Sequence, residues 1–480
     1  MDEKAQQRFN QLAALCGCSD QQSEQFIATF NALEPVEKAR MNPIQFARKA
    51  QLDSAMVVDL FVRGAWEGLF EFGWESVCPL CGAVTHDHSH LDQLPEESFY
   101  CAFCDQDAES ALDETIEVTF APNLGVHDQP FDPHSDFHDY LRYFTSTGFN
   151  YFEHLHSYQS RHMVGHERLE PGAGTSLHVT LEPGAVYRLI CLDIHSAVTL
   201  VVHDEPARSA PLEPLFTLKP AGFAQPPMTV APGQANLQVV NGTEQRVWIR
   251  LIKMDMAEIA QFLQSRQEPI FAQRLTADRL LSNQIFRDLY GIQDLIPDLK
   301  LRIRSITMLF TDLKGSTALY ERTGDLAAYR MVRDHFDYLK QVVKETNGAV
   351  VKTMGDAIMA TFTTPADGVR AAIAMHRAMS RYTEQIAPEK LGLKVGIHTG
   401  PALTVNAGER LDFFGQTVNV AARVQALADA AEICLSPDVA KGASCQELLQ
   451  QAGYRATTEQ HILKGIQGES TVLRYRASNT

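Results

Sequence analysis

The stretch Met308-Leu309-Phe310-Thr311-Asp312-Leu313-Lys314-Gly315-Ser316-Thr317 decides how the C-terminal part of this 480-residue chain folds. The apolar run Ile306 to Thr311 predicts a buried strand that ends on a carboxylate. Gly315 lets the backbone turn sharply, and Ser316 or Thr317 caps the helix expected over Thr317 to Thr346. Downstream, a hairpin is predicted from Ala349 to Met354 and Ala357 to Phe362, with its turn at Gly355-Asp356. A helix over Ala366 to Glu384, a strand over Leu393 to His398 and a helix over Val418 to Ala428 complete a βαββαβ order of the ferredoxin type. Asp312 and Asp356 then sit at the ends of adjacent strands, within reach of a shared metal ion. Mg²⁺ needs few protein oxygens and takes the rest from phosphates and water. Aspartate is common in turns, so neither residue alone carries this reading.

A third motif does more. Leu411-Asp412-Phe413-Phe414-Gly415-Gln416-Thr417-Val418-Asn419-Val420-Ala421-Ala422-Arg423 joins a polar loop to an amphipathic helix. Asn419 and Arg423 are four residues apart and share a helical face. Val418, Ala422 and Val424 fall largely on another.

Together these motifs resemble the class III nucleotidyl cyclase catalytic domain, over about Ser305 to Arg476. The resemblance implies that Asp312 and Asp356, with the backbone carbonyl of Leu313, hold two Mg²⁺ or Mn²⁺ ions. It assigns Lys352 and Asp412 to the adenine ring, Asn419 to the ribose and Arg423 to the transition-state phosphate. Lys464, followed by Gly465, is assigned to the triphosphate. Lys352 can donate to adenine N1 while Asp412 accepts from the exocyclic amine. Guanine presents the opposite pattern, so the pair discriminates against GTP. The expected reaction is conversion of ATP to 3′,5′-cyclic AMP and pyrophosphate. Family sites form between two catalytic domains, and this chain fills every position, which implies a homodimer with two equivalent sites. One departure stands out: Gly396-Ile397-His398-Thr399-Gly400 is followed by Pro401, where some relatives carry a basic residue. His398 is read as a structural histidine.

The N-terminal half is of another kind. Cys78-Pro79-Leu80-Cys81 and Cys101-Ala102-Phe103-Cys104 form two CxxC pairs separated by nineteen residues. Two such knuckles supply four thiolates to one tetrahedral Zn²⁺, so a structural zinc ribbon is expected. The intervening His86-Asp87-His88-Ser89-His90 reads as a solvated loop. Helical spacing from Asn42 to Phe70 resembles a winged-helix unit. Residues 1–110 carry seven basic and 18 acidic side chains, a net charge of −11, which speaks against a DNA groove and for sensing or protein contacts. From His166 to Met254, short apolar runs alternate with turns such as Glu182-Pro183-Gly184 and Ala231-Pro232-Gly233, as in an antiparallel β-sandwich. Helical spacing returns from Met256 to Leu301.

The expected architecture is therefore multidomain α+β. It comprises a helical and zinc-ribbon region (1–113), a linking stretch (114–165), a β domain (166–255), a helical connector (256–303) and the cyclase domain (304–480). The net charge of −17 makes the chain a poor general partner for nucleic acid or anionic membrane. The most apolar window, Ala185 to Val202, is broken by Arg188, Asp193 and His195, so no membrane span is expected. A polar N-terminus without an apolar core, and nine cysteines with four in CxxC pairs, suit a cytoplasmic location. The regulated adenylate cyclase reading, with a ligand or protein acting at the N-terminal region, has two rivals. One is a catalytically silent nucleotide-binding scaffold and the other a guanylate cyclase.

Overall fold

A computed structural model describes the chain apart from residues 2, 124–125, 127–130, 205–210, 291–300, 316–324, 387–391, 407–410 and 478–480. The cap expected at Ser316 or Thr317 lies outside the described residues.

The chain begins with helices α1 (Glu3–Leu15), α2 (Asp20–Ala32), α3 (Pro35–Ala39), α4 (Pro43–Ala50) and α5 (Ser54–Trp66). Ser19 and Gln22 form a reciprocal capping box at α2, and Asn42 and Asp53 cap α4 and α5. Their apolar faces meet in an aromatic core, with ring centroids 4.4 Å apart for Phe9–Phe26 and 4.4 Å for Phe26–Phe46. Beneath lies an antiparallel sheet of β1 (Phe70–Val77), β2 (Val84–His88) and β5 (Ile116–Pro122), in the order β2-β1-β5. A hairpin of β3 (Ser98–Cys101) and β4 (Gln106–Glu109) stands beside it.

Two expectations are corrected here. Val84–His88 is a strand, because backbone pairing with β1 needs no apolar side chains. Ile116–Pro122 lies inside the first sheet and not in a linker. Its Glu117 is polar but buried, held by the buried Arg274 at 3.2 Å and by Asn42 at 3.0 Å. Buried charges that are paired in this way mask the apolar signature of a strand.

Helices α6 (Phe137–Tyr143) and α7 (Phe152–His162) lead into the β domain. Its strands are β6 (Met163–Leu169), β7 (Gly174–Leu181), β8 (Val186–Cys191), β9 (Ser196–Val202), β10 (Leu215–Lys219), β11 (Gly222–Phe223), β12 (Met228–Val230), β13 (Gly233–Asn241) and β14 (Val247–Met254). Two sheets, β11-β10-β13-β7 and β12-β9-β8-β14-β6, enclose a core that includes Leu177, Leu189, Phe216, Leu237 and Ile249. The domain is not wholly antiparallel, since β10 pairs parallel with β13 and β12 with β9. From β6 onward the chain crosses repeatedly between the sheets, and turn residues mark strand ends without saying which strands pair.

Helices α8 (Met256–Ser265), α9 (Ala277–Leu281) and α10 (Gln284–Leu289) follow. The last two do not act as a free connector. Leu280, Leu281, Ile285 and Phe286 join the same core as Phe9, Phe61 and Phe120.

The C-terminal sheet has the order β16-β17-β15-β18-β20-β22-β21. Its strands are β15 (Leu301–Lys314), β16 (Gly348–Met354), β17 (Ala357–Phe362), β18 (Gly392–Asn406), β20 (Glu432–Leu435), β21 (Tyr454–Ile462) and β22 (Glu469–Ala477). A short β19 (Leu411–Phe414) pairs with β18. Leu309, Leu313, Ile358 and Val395 face α11 (Asp325–Glu345) and α12 (Pro365–Ile386) through Leu339, Val343, Val369 and Met375. The opposite face, with Ile306, Met308, Phe310, Val351 and Met359, continues into the N-terminal aromatic core. Helix α13 (Gln416–Ala426) lies on this second face through Ala421; α14 (Pro437–Ala440) and α15 (Ala443–Gln451) complete the domain. Among the described residues, no helix is long and apolar enough to cross a membrane.

Candidate active site and cysteine centre

Strand alternation puts Asp312 on the Met308 and Phe310 face, the face that carries α13. β15 pairs with β17 through Phe310 opposite Met359, and Thr311 Oγ1 accepts from Ile358 N–H at 3.1 Å. These contacts carry Asp312 toward the hairpin tip, where Gly355 takes a φ of 64° and Asp356 follows. Asp356 Oδ2 is buried and has no hydrogen-bond partner among the described residues. An oxygen-only donor pair with an unsatisfied buried carboxylate oxygen fits a hard divalent cation. Asp312 Oδ2 is engaged by Lys394 Nζ at 3.0 Å. The sequence reading missed Lys394. Its signal is the β18 alternation, in which Leu393 and Val395 enter the core and Lys394 takes the other face, opposite Asp312.

Lys352 on β16 and Asp412 on β19 come together, with Nζ 2.5 Å from Oδ2. The other carboxylate oxygen of Asp412 accepts from Phe413 N–H at 2.8 Å. A β-bulge between Val350 and Lys352 sets the orientation of the lysine.

Asn419 and Arg423 lie exposed on one face of α13, while Thr417, Ala421 and Val424 are buried. Val418 and Ala422 pack at the edge of the N-terminal core. The helix sits tightly on β18, because a Cβ on Gly396 would lie 2.2 Å from Gln425 Cα. Glycine at this position therefore sets the height of Asn419 and Arg423 above the sheet. Lys464 is exposed in the turn between β21 and β22. His398 bonds Ser436 Oγ through Nδ1 at 2.7 Å, and burial pulls its pKa down. Beside Asp356, burial pushes His335 down to about 4, against the pull of that carboxylate.

In the N-terminal half the four cysteines of the CxxC pairs converge, with all four Sγ atoms within 4.8 Å of one another. Cys78 and Cys104 are 3.5 Å apart and Cys81 and Cys101 3.6 Å. Each knuckle turns on backbone bonds, Gly82 N–H to Cys78 at 3.0 Å and Asp105 N–H to Cys101 at 2.9 Å. Four converging sulfurs, three of them buried, fit a tetrahedral Zn²⁺. The second knuckle is also gripped by the β domain. Arg188 donates to the carbonyls of Ala102 at 2.8 Å and Phe103 at 3.2 Å, and His195 Nε2 accepts from Ala102 N–H at 2.9 Å. Nothing in the sequence pointed to Arg188 or His195, which lie about ninety residues away.

Comparison with known proteins agrees with this division. Residues 4–288, more than half of the chain, match the family of unknown function DUF5939, and residues 300–475 match the adenylate and guanylate cyclase catalytic domain. An adenylate cyclase of Lachancea kluyveri is 25% identical over 270 residues, covering 51% of this chain and 14% of its own. Guanylate cyclase 2G of Rattus norvegicus is 24% identical over 237 residues, covering 46% of this chain and 21% of its own. The match thus spans well under half the length of these relatives. The crystal structure of the adenylyl cyclase CyaB from P. aeruginosa aligns with 38% of this chain and 97% of its own, at 20% identity and a TM-score of 0.32. The chain belongs to the family of unknown function DUF5939, and behind that region it carries a class III adenylate and guanylate cyclase catalytic domain.

Proposed function

We propose that the chain is an adenylate cyclase that converts ATP to 3′,5′-cyclic AMP and pyrophosphate, under the control of its N-terminal region. The observation that carries ATP over GTP is the pairing of Lys352 with Asp412 at 2.5 Å. One donor and one acceptor, side by side and partly exposed, match adenine N1 and the exocyclic amine. On guanine, the same two groups would face a donor and an acceptor of the wrong sense, leaving partners unpaired.

Asp312, Asp356 and the Leu313 carbonyl would hold two Mg²⁺ or Mn²⁺ ions. When bound, such ions lower the pKa of the ribose 3′-hydroxyl and stabilise charge on the phosphates. Lys394, 3.0 Å from Asp312 Oδ2, would share that carboxylate with a bound ion. Asn419 orients the ribose, Arg423 meets the charge that develops at the α-phosphate, and Lys464 holds the triphosphate. Asn419 and Arg423 point to solvent, as residues do that complete the site of a second copy. A homodimer with two shared sites is therefore part of the proposal. The test is the purified chain with ATP or GTP and Mg²⁺ or Mn²⁺, assayed for cyclic product. Cyclic AMP in excess of cyclic GMP is expected. Excess cyclic GMP would favour the guanylate reading, and nucleotide binding without product the silent scaffold.

The cysteine centre is proposed as a structural Zn²⁺ site, and the enzyme as cytoplasmic. Elemental analysis should find about one Zn per chain, lost in a Cys78→Ser/Cys81→Ser variant. Stoichiometric zinc retained by that variant would remove the assignment.

A further inference from the structure

Helix α10 belongs to the N-terminal region, yet two of its side chains end in the cyclase sheet. Its Ile285 and Phe286 enter the N-terminal core. Gln284 Oε1 accepts from Val350 N–H at 2.8 Å, at the bulge just before Lys352. Arg287 Nη2 donates to the Leu411 carbonyl at 2.6 Å, one residue before Asp412. Its Nη1 donates to the Leu281 carbonyl at 3.2 Å, and its guanidinium lies 5.8 Å from the centroid of the Phe413 ring. Leu411 and Phe413 flank Asp412, so Arg287 holds both neighbours of that carboxylate. Gln284 is itself fixed, since its Nε2 donates to Asp288 Oδ1 at 2.9 Å, the oxygen that also takes Lys340 of α11 at 2.9 Å. Burial draws Arg287 down to about 10, and Asp412 pulls the other way.

We propose that Gln284 and Arg287 of α10 are positioning residues for base recognition, holding the two strand segments that present Lys352 and Asp412 to the purine. This rests on the base-reading role given to that pair above. The two readers sit on strands far apart in the sequence, β16 and β19, and α10 bonds to both. Purine selection depends on their relative position, because a displacement of about 1 Å in a positioned group costs on the order of a hundredfold. A shift of α10 thereby alters nucleotide affinity with no contact to phosphate or metal.

The experiment compares wild type with Arg287→Met, Arg287→Lys and Gln284→Leu in the full chain, with folding checked by melting temperature. KM and kcat are measured for ATP and GTP, and dissociation constants are measured for both nucleotides. In Arg287→Met and Gln284→Leu, KM for ATP is expected to rise about tenfold and the ATP-to-GTP preference to fall about tenfold. The value of kcat at saturating ATP should change less than about threefold. Arg287→Lys should recover part of the preference, since an ammonium still reaches one carbonyl. Gln284→Leu keeps the test open if loss of the buried Arg287 prevents folding. Folded variants that keep the wild-type preference, or lose kcat for both nucleotides alike, would overturn the proposal. A wild type that prefers GTP would overturn the adenine reading alone. The positioning role is then judged by whether the variants lose that preference in both KM and the dissociation constants.

Discussion

Asp312→Ala and Asp356→Ala are each expected to reduce cyclic nucleotide formation about a thousandfold at saturating Mg²⁺ or Mn²⁺, roughly 4 kcal/mol of transition-state stabilisation. Each carboxylate would supply oxygen to an ion that offsets charge on the transferring phosphate. Asp356 Oδ2 is buried without a hydrogen-bond partner among the described residues, so removing it breaks no hydrogen bond of that oxygen there. Asp312→Ala removes the carboxylate 3.0 Å from Lys394, whose side chain is mostly buried but still 23% exposed, so its ammonium can turn to water. Both variants should therefore keep the wild-type melting temperature within a few degrees. The check is a rate measurement across a metal titration. Near wild-type turnover by either variant at saturating metal would end the two-ion reading.

The second large effect is a gain. An Asp356→Ala chain and an Arg423→Ala chain, each inactive, should recover activity on mixing. If one protomer supplies Asp356 and its partner Arg423, a mixed dimer holds one site with both lesions and one with neither. Random pairing makes about half of the dimers mixed, so recovery reaches at most about one quarter of wild type per chain. A site built within one protomer would leave two defective sites in every mixed dimer. With subunit exchange confirmed by a labelled chain, absence of recovery would reject the shared site.

The cyclase half was largely legible because its elements carry local signals. The run Met308 to Thr311 alternates between two buried faces, Gly355 marks the hairpin turn, and α13 shows its apolar stripe. Lys352 and Asp412 were named from a motif, but only the pairing of β19 with β18 explains how residues sixty positions apart meet. The N-terminal half was less legible for physical reasons. Glu117 and Glu75 sit in buried strands as members of ion pairs with Arg274 and Arg40, and a polar residue inside a strand reads as a loop. The parallel pairings of β10 and β12 depend on crossings between sheets, which leave no periodic trace. Phe286 and Ile285 read as part of a connector, since a six-residue helix does not reveal which distant core its apolar face will join.

The apolar layer shared by the helical region and the cyclase sheet bears on how this chain could be dissected. A cut near residue 300 would strip Leu281, Ile285 and Phe286 from Ile306, Met308, Phe310, Val351 and Met359, which belong to one core. Each fragment would then present to water a contiguous apolar face of the kind that drives self-association. The boundary visible in the sequence is thus not a seam in the folded molecule. The helical region and the cyclase sheet complete one another's buried core. Grafting either half onto a foreign partner would require carrying the facing residues of the other half along with it.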